Sequence, residues 1–320
     1  MDWSRIRRTR AKEERPAGVY ASLEELVRIR FKVSDFSLQP TQPVASVLSG
    51  RYASRLRGRG LNFEELRRYQ PGDDTRDIDW KVTARTRSPH VRVYTEEKDR
   101  SVLLIVDQRS NMFFGTKDKL KSVTAAEIAA LGAWRAIDSG DRVGAIIFND
   151  SELVTIQPQR SQDTVMNILG TVVRMNHSLK AGTDHASNEK QLNQAIKNAQ
   201  SLVTHDVLVV MVSDYFGVDK ETERLTTRMA IHNDIIAFLI HDPIRMHPVA
   251  RKLTLSDGHL QMEVDFSKKQ VREKMVAEYK AEQEQIAHFL RKISAPLLKI
   301  SNQGDVSQQV RRLLGVPGRR

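Results

Sequence analysis

From residue 101 onward the chain alternates short, unbroken apolar runs with longer stretches in which apolar residues recur every three or four positions. The runs at 101–106, 141–148, 206–212 and 235–240 are strand-sized and apolar throughout, the pattern of strands buried on both faces of a sheet. Between them, 117–137, 162–174, 188–202 and 219–231 carry the helical spacing. Residues 152–156 alternate apolar and polar, which predicts a hairpin partner for the second strand across Asn149-Asp150. Further on, 252–264 reads as a β-hairpin turning at Ser256-Asp257-Gly258. A long helix over 267–293 follows, with Val271, Met275, Tyr279, Ile286, Phe289 and Ile293 on the face expected to pack on the sheet. A last strand (295–300) and helix (306–314) close the pattern. Strands alternating with helices of this length require crossover connections, so the expected class is α/β with a doubly wound, mostly parallel sheet of Rossmann type.

The first hundred residues read differently, being rich in Arg, Gly and Pro. A short helix is expected over 21–30, an extended or loop segment over 44–56, and a strand over 90–95. The division that follows is a basic tail (1–20), a turn- and strand-rich N-terminal region (21–100) and the α/β domain (101–315).

Composition narrows the function classes. With 320 residues, 40% apolar and 28% charged, the chain can bury a substantial core. It has no cysteine, which excludes a disulfide framework, thiolate ligands and thiol catalysis. No apolar stretch reaches the roughly 20 residues of a membrane helix, and the basic start has no apolar segment behind it, so a cytoplasmic location is expected. The formal net charge of +11 is concentrated partly at the ends, in Arg5, Arg7, Arg8, Arg10, Lys12 and Arg15 and in Arg311, Arg312, Arg319 and Arg320. Such tails are usually solvated, though an anionic surface also fits.

In an open α/β sheet, ligands collect at the carboxyl ends of the strands. Three polar loops fall there: Asp107-Gln108-Arg109-Ser110-Asn111-Met112, Gly182-Thr183-Asp184 and Ser213-Asp214-Tyr215. Together they resemble the von Willebrand factor A-type fold, in which an Asp-x-Ser-x-Ser loop, a distant Thr and a second distant Asp hold one divalent cation. Asp107, Thr183 and Asp214 match the two Asp positions and the Thr, whereas Arg109 replaces the first Ser and Asn111 the second. A guanidinium in that place carries a fixed positive charge where hydroxyls would help hold Mg²⁺. The expectation is that Arg109 substitutes for the cation and bridges Asp107 and Asp214, with no cofactor and a divalent cation such as Mg²⁺ disfavoured, and that the rim of Asp107, Arg109, Asn111, Thr183 and Asp214, together with residues 63–85, forms the docking surface for a partner protein. The plainer alternative has Arg109 pointing to solvent and Asp107 capping the next segment.

Residues 58–85 carry Gly58, Gly60, Phe63, Leu66, Arg67, Tyr69, Gly72, Asp73, Asp74, Asp77, Asp79, Trp80, Ala84 and Arg85. Read bare, the segment is turns and alternating charge, pinned by an Asp/Arg network with Trp80 buried beneath it; a two-metal site built from its aspartates is disfavoured because Arg67, Arg68, Arg76, Lys81 and Arg85 stand close enough to neutralise them. This run, followed by a strand ending in Asp107, resembles the domain-of-unknown-function family 58. The resemblance implies a von Willebrand factor A-like domain and a place beside a MoxR-type AAA+ ATPase and other von Willebrand factor A proteins. It implies an adaptor or co-chaperone that matures or assembles other proteins, and no enzymatic activity. Many members of that family carry N-terminal membrane helices, so any membrane role of this chain is expected to come through partners.

No phosphate-binding glycine loop, nucleophile elbow or His-Glu-x-x-His pair occurs, and His185, His205, His241 and His247 lack metal spacing. The alternatives kept open are a metal-dependent phosphodiesterase built on the acidic residues at 73–79 or on the rim carboxylates, and a nucleic-acid-binding protein using the interleaved arginines and aromatics of 63–80.

Overall fold

The computed structural model describes residues 16–32, 61–96, 101–180, 187–256 and 261–314. These fall into two compact units, one formed by Met1–Val44 with Arg100–Arg320, the other by Ala45–Asp99. The first helix, α1 (Leu23–Arg28), runs into a 3₁₀ turn, Ile29–Lys32, and belongs to the larger unit. The structure therefore assigns the described part of 21–44 to the α/β domain, whereas the sequence pattern groups it with the residues up to 100.

The smaller unit contains β1 (Leu61–Arg68), α2 (Trp80–Thr86) and β2 (His90–Glu96). Strands β1 and β2 pair antiparallel, with a register shift between Phe63 and Glu65. Asp79 starts α2 by accepting from the amides of Lys81 and Val82, each at 3.0 Å, and its other oxygen pairs with Arg92 at 2.8 Å. Arg67 grips Asp73 through both terminal nitrogens, at 2.7 and 2.8 Å. The expected Asp/Arg network exists, but on ordered elements. Trp80 is 70% exposed, contrary to the expectation of burial. As the first residue of a seven-residue helix whose inward positions are Val82 and Thr83, it projects outward.

In the larger unit the elements are β3 (Ser101–Asp107), α3 (Lys121–Asp138), β4 (Arg142–Phe148), β5 (Leu153–Gln159), α4 (Gln162–Ser178), α5 (Lys190–Leu202), β6 (Val207–Ser213), α6 (Lys220–Ala230) and β7 (Asp234–His241). The antiparallel hairpin β8 (Lys252–Ser256) and β9 (Gln261–Asp265) comes next, then α7 (Lys269–Lys292), β10 (Leu297–Ser301) and α8 (Val306–Leu313). Six strands form one sheet in the order β10-β7-β6-β3-β4-β5, all parallel except β5, which returns antiparallel to β4. Counted within the sheet this is the 6-5-4-1-2-3 order of a doubly wound fold, and the chain reverses direction across the sheet between β3 and β6.

Alternation along β3 sorts the two cores. Val102, Leu104 and Val106 pack under α1, α3, α4 and α8, whereas Leu103 and Ile105 pack under α5, α6 and α7. Burial of α7 begins at Tyr279 and continues through Ile286, Phe289 and Leu290; Val271 and Met275 are only half-buried.

Residues 16–32 form a strap across α3 and α4. The Trp134 indole donates to the Leu26 carbonyl at 3.2 Å, and the Ala21 amide donates to Asn176 Oδ1 at 2.8 Å. Asn176 Nδ2 donates in turn to Gln108 Oε1 at 3.0 Å, and Gln108 Nε2 to the Ser122 carbonyl at 3.0 Å. Gln108 and Asn176 are wholly buried, so this relay carries the strap's position inward to the loop that follows β3.

Candidate functional site

The reversal between β3 and β6 opens a crevice at the carboxyl ends of the two strands, and Asp107 ends one and Ser213 the other. Asp107 is fully buried. Its Oδ1 accepts from the Arg109 amide at 3.0 Å and from Arg109 Nε at 3.1 Å. Its Oδ2 accepts from Arg109 Nη2 and from the Ser213 hydroxyl, both at 2.7 Å. The guanidinium, also fully buried, spends its remaining donors on the carbonyls of Asn188 at 3.2 Å and Phe216 at 3.1 Å, and lies 5.5 Å from the Phe148 ring centre. Burial works against its charge, but Asp107, with Asp214 and Asp150 farther off, holds its pKa above the usual arginine value.

Asp214 has a different partner from the one expected. Lys121 Nζ approaches its Oδ2 at 2.5 Å, and Asn111 Nδ2 donates to its Oδ1 at 2.7 Å. Burial raises the Asp214 pKa, but the Lys121 ammonium outweighs it, with Arg109 and the Asn111 amide helping, so the group sits below the ordinary carboxylate range. Arg109 thus neutralises Asp107 and Lys121 neutralises Asp214, in place of one guanidinium bridging both. Lys121 opens α3 and lies 93 positions from its partner, so nothing local in the sequence marks it.

A third carboxylate, Asp150 in the β4–β5 turn, ties the rim together, accepting from the amides of Ser110 at 2.7 Å and Asn188 at 2.8 Å. Ser187 donates to Asn111 Oδ1 at 2.5 Å. Thr183 lies outside the described residues, as do Gly58 and Gly60. Of the other expected residues, Phe63, Leu66 and Arg67 lie in β1, Tyr69, Gly72, Asp73 and Asp77 in the connection to α2, Asp79 at its cap, and Trp80, Ala84 and Arg85 within it.

Tyr215 and Gly217, in the loop after β6, both have left-handed backbones, with φ of 59° and 76°. At Tyr215 the conformation stores strain of order 1 kcal/mol, and at Gly217 a side chain would collide with Glu189, 2.7 Å away. Nearby, Asp242 is almost fully buried and accepts from the Thr116 amide and hydroxyl, the Ile244 amide and Asn302 Nδ2, at 2.7–2.9 Å. Against the upward push of burial, these donors hold its pKa low.

The donor set does not fit the divalent cation that the sequence resemblance implies. Both Asp107 oxygens are already taken, and a doubly charged ion about 4 Å from the guanidinium meets a repulsion of roughly 8 kcal/mol at an effective dielectric near 20. Among the described residues no group of three His, Cys, Asp or Glu side chains is placed to hold a metal.

Acid stability follows from the same groups. Asp214 and Asp242 titrate lower in the folded chain than in the unfolded one, so their stabilisation is complete above pH of about 4 and drains away as pH falls through their folded values. Glu127 acts oppositely: burial raises its pKa against the pull of Lys119, so its contribution is present at low pH and lost as pH rises through the folded value. Lys121→Met removes the cation that depresses Asp214. We expect its acid-unfolding midpoint, followed by circular dichroism, to lie at higher pH than that of the parent; an unchanged midpoint would refute the role assigned to Lys121.

The model of the family described as "Protein of unknown function DUF58" matches residues 65–285. Uncharacterized proteins of Mycobacterium bovis and Mycobacterium tuberculosis are 27% identical to this chain over 266 residues, which is 82% of each. Two solved structures align over 67% of this chain and 98% of their own, the conserved hypothetical protein BatB of Bacteroides thetaiotaomicron (12% identity, TM-score 0.39) and an aerotolerance-related membrane protein of Bacteroides fragilis (11%, TM-score 0.40). No helix among the described residues is long and apolar enough to cross a membrane.

Proposed function

The chain belongs to the DUF58 family of proteins of unknown function, and from that membership we propose that it is a non-enzymatic, cytoplasmic protein-binding adaptor working with a MoxR-type AAA+ ATPase in the maturation or assembly of other proteins. The observation that supports this reading is the closed charge balance at the sheet's strand reversal. Arg109 sits on Asp107 and Lys121 on Asp214, so the crevice where an α/β sheet ordinarily holds its ligand is filled with fixed, mutually satisfied groups. Such a site presents shape and hydrogen-bonding edges to a partner.

The rim residues able to meet a partner are the accessible ones. Arg109, wholly buried, is not among them, which withdraws it from the contact surface and makes it the support beneath. Phe216 is 46% exposed, and its backbone is fixed from below by Arg109 and Asp214. An anchored, exposed aromatic is the side-chain type that dominates interface energetics. We expect Phe216→Ala to reduce retention of the ATPase by a tagged full chain at least tenfold, a loss of about 1.4 kcal/mol or more, with no change in melting temperature. Equal retention by parent and variant would count against this rim, and no retention by the parent would count against the partner.

A further inference from the structure

The start of the strap touches each segment that carries one of the rim's balancing groups. The Gly18 carbonyl accepts from the Leu120 amide at 2.8 Å, directly before Lys121, at a helix end where α3 has no capping side chain of its own. The Tyr20 ring stands 5.6 Å from that of Phe113, which closes the turn bearing Asn111. The Ala21 amide, through Asn176, holds Gln108 between Asp107 and Arg109. On its other side the same stretch is tied to the end of α4. There the Tyr20 hydroxyl donates to the Leu179 carbonyl at 3.1 Å, and His177 Nε2 lies 2.8 Å from the Ala21 carbonyl.

The two halves of the strap are held in different ways. From 23 to 32, Leu26 and Ile29 are buried in the core, Trp134 holds the Leu26 carbonyl, and Lys32 pairs with Asp305 at 2.9 Å while its carbonyl accepts from Arg311 at 2.7 Å. From 16 to 22 only Ala21 is buried, and the attachment is polar apart from the Tyr20 ring. A segment that buries so little apolar surface belongs to the parts of a fold that open first. Gly18 sets how closely this half docks, since its φ is 81° and a Cβ there would lie 2.3 Å from the Asp118 carbonyl oxygen. Past the loops the contacts run on to Phe216. Lys121 and Asn111 hold Asp214, which accepts from the Phe216 amide at 3.0 Å, and Arg109 donates to the Phe216 carbonyl.

We propose that residues 16–22 are a detachable latch for the rim: docked, they keep Arg109, Asn111 and Lys121 on Asp107 and Asp214 and so fix Phe216; detached, they leave these groups free to move. Such coupling is reciprocal, so cutting the ion pair loosens the latch just as freeing the latch loosens the pair. Control of partner capture by the latch rests on the protein-binding reading above, whereas the coupling itself needs no partner. Amide hydrogen exchange of the full chain tests it. Two strap variants act at separate points: Gly18→Val, which cannot dock against Asp118, and Ala21→Pro, which removes the amide that Asn176 accepts. In both, exchange at the Arg109, Lys121 and Phe216 amides should quicken roughly tenfold or more, while Val209 and Val210 in β6 change by less than about threefold. In Lys121→Met, which leaves the strap's own sequence intact, the Ala21 amide should quicken by a similar factor. Gly18→Val carries the test should Ala21→Pro not fold. Quickening confined to 113–120 with Phe216 as in the parent, quickening that extends equally to β6, or an unmoved Ala21 amide in Lys121→Met would overturn the proposal. Coupling in a chain that retains no ATPase would strike the adaptor reading alone, and retention without coupling would strike the latch alone.

Discussion

Replacing Arg109 by alanine should cost about 3–5 kcal/mol of folding stability, the loss measured when one partner of a buried ion pair is removed and the other stays charged in the interior. Against a typical total of about 5–15 kcal/mol, that is enough to leave the chain partly unfolded at ordinary temperature. The size of the effect comes from the geometry. Asp107 keeps only the Ser213 hydroxyl and one backbone amide, and the carbonyls of Asn188 and Phe216 lose their charged donor together. Charge reversal at the same position is worse, because it sets two carboxylates against each other in a dry site. Urea unfolding measures the change, and the double variant Asp107→Asn/Arg109→Met should recover most of it, since the stranded charge is gone. A loss below about 1 kcal/mol in Arg109→Ala would mean that the pair opens readily to solvent. The related variant Arg109→Ser/Lys121→Ser frees both carboxylates; addition of Mg²⁺ should then raise its stability, by about 2.7 kcal/mol at a concentration of 100 Kd, and leave the parent unaffected. Equal responses of parent and variant to Mg²⁺ would disprove that the two cations occupy the ion's place.

The second large effect is expected at Asn176. Asn176→Leu keeps the branched outline of the side chain but leaves the Ala21 amide and Gln108 Oε1 unpartnered in the interior. At about 1–3 kcal/mol for each of the two buried groups so abandoned, the variant should lose about 2–6 kcal/mol. The strap is where the loss should appear first. Arg28 and Arg30, held in α1 and the 3₁₀ turn behind it, should become rapid trypsin sites while cleavage within the central sheet stays slow. Unaltered protection at these arginines would show that Trp134 and the apolar contacts of Leu26 hold the strap without the relay.

The α/β domain is legible in the residues because its strands, buried on both faces, have to be continuous apolar runs. Val207–Ser213 and Asp234–His241 announce themselves in that way, and β5, the antiparallel edge strand of the six-stranded sheet, betrays its half-exposed face by alternation. The small unit obeys no such constraint. Leu61–Arg68 is a strand of a two-stranded ribbon with two glutamates and two arginines in eight residues, and the register shift between Phe63 and Glu65 breaks the apolar alternation of Leu61, Phe63 and Leu66, so the sequence reads as turns. The short helix after Asp79 does carry a signal, the aspartate cap itself, and it is easily lost among neighbouring charges. At the site, Asp107 and Arg109 are close in sequence and their pairing follows from proximity. The partners of Asp214 and Asp242 do not, since Lys121, Thr116 and Asn302 reach them only through the packing of separate strands and helices. Long-range complementarity of this kind has no local signature.

The paired charges at the strand reversal bear on how anything finds this surface. The two ion pairs, Arg109 on Asp107 and Lys121 on Asp214, cancel within a few ångströms and cast almost no field beyond one Debye length, about 8 Å in physiological salt. Asp150, held among the described residues by the Ser110 and Asn188 amides alone, is the carboxylate at this edge left to act at a distance. Steering toward this place in a chain of net charge +11 therefore falls to a single negative group, and its loss in Asp150→Asn should flatten what salt dependence capture here has.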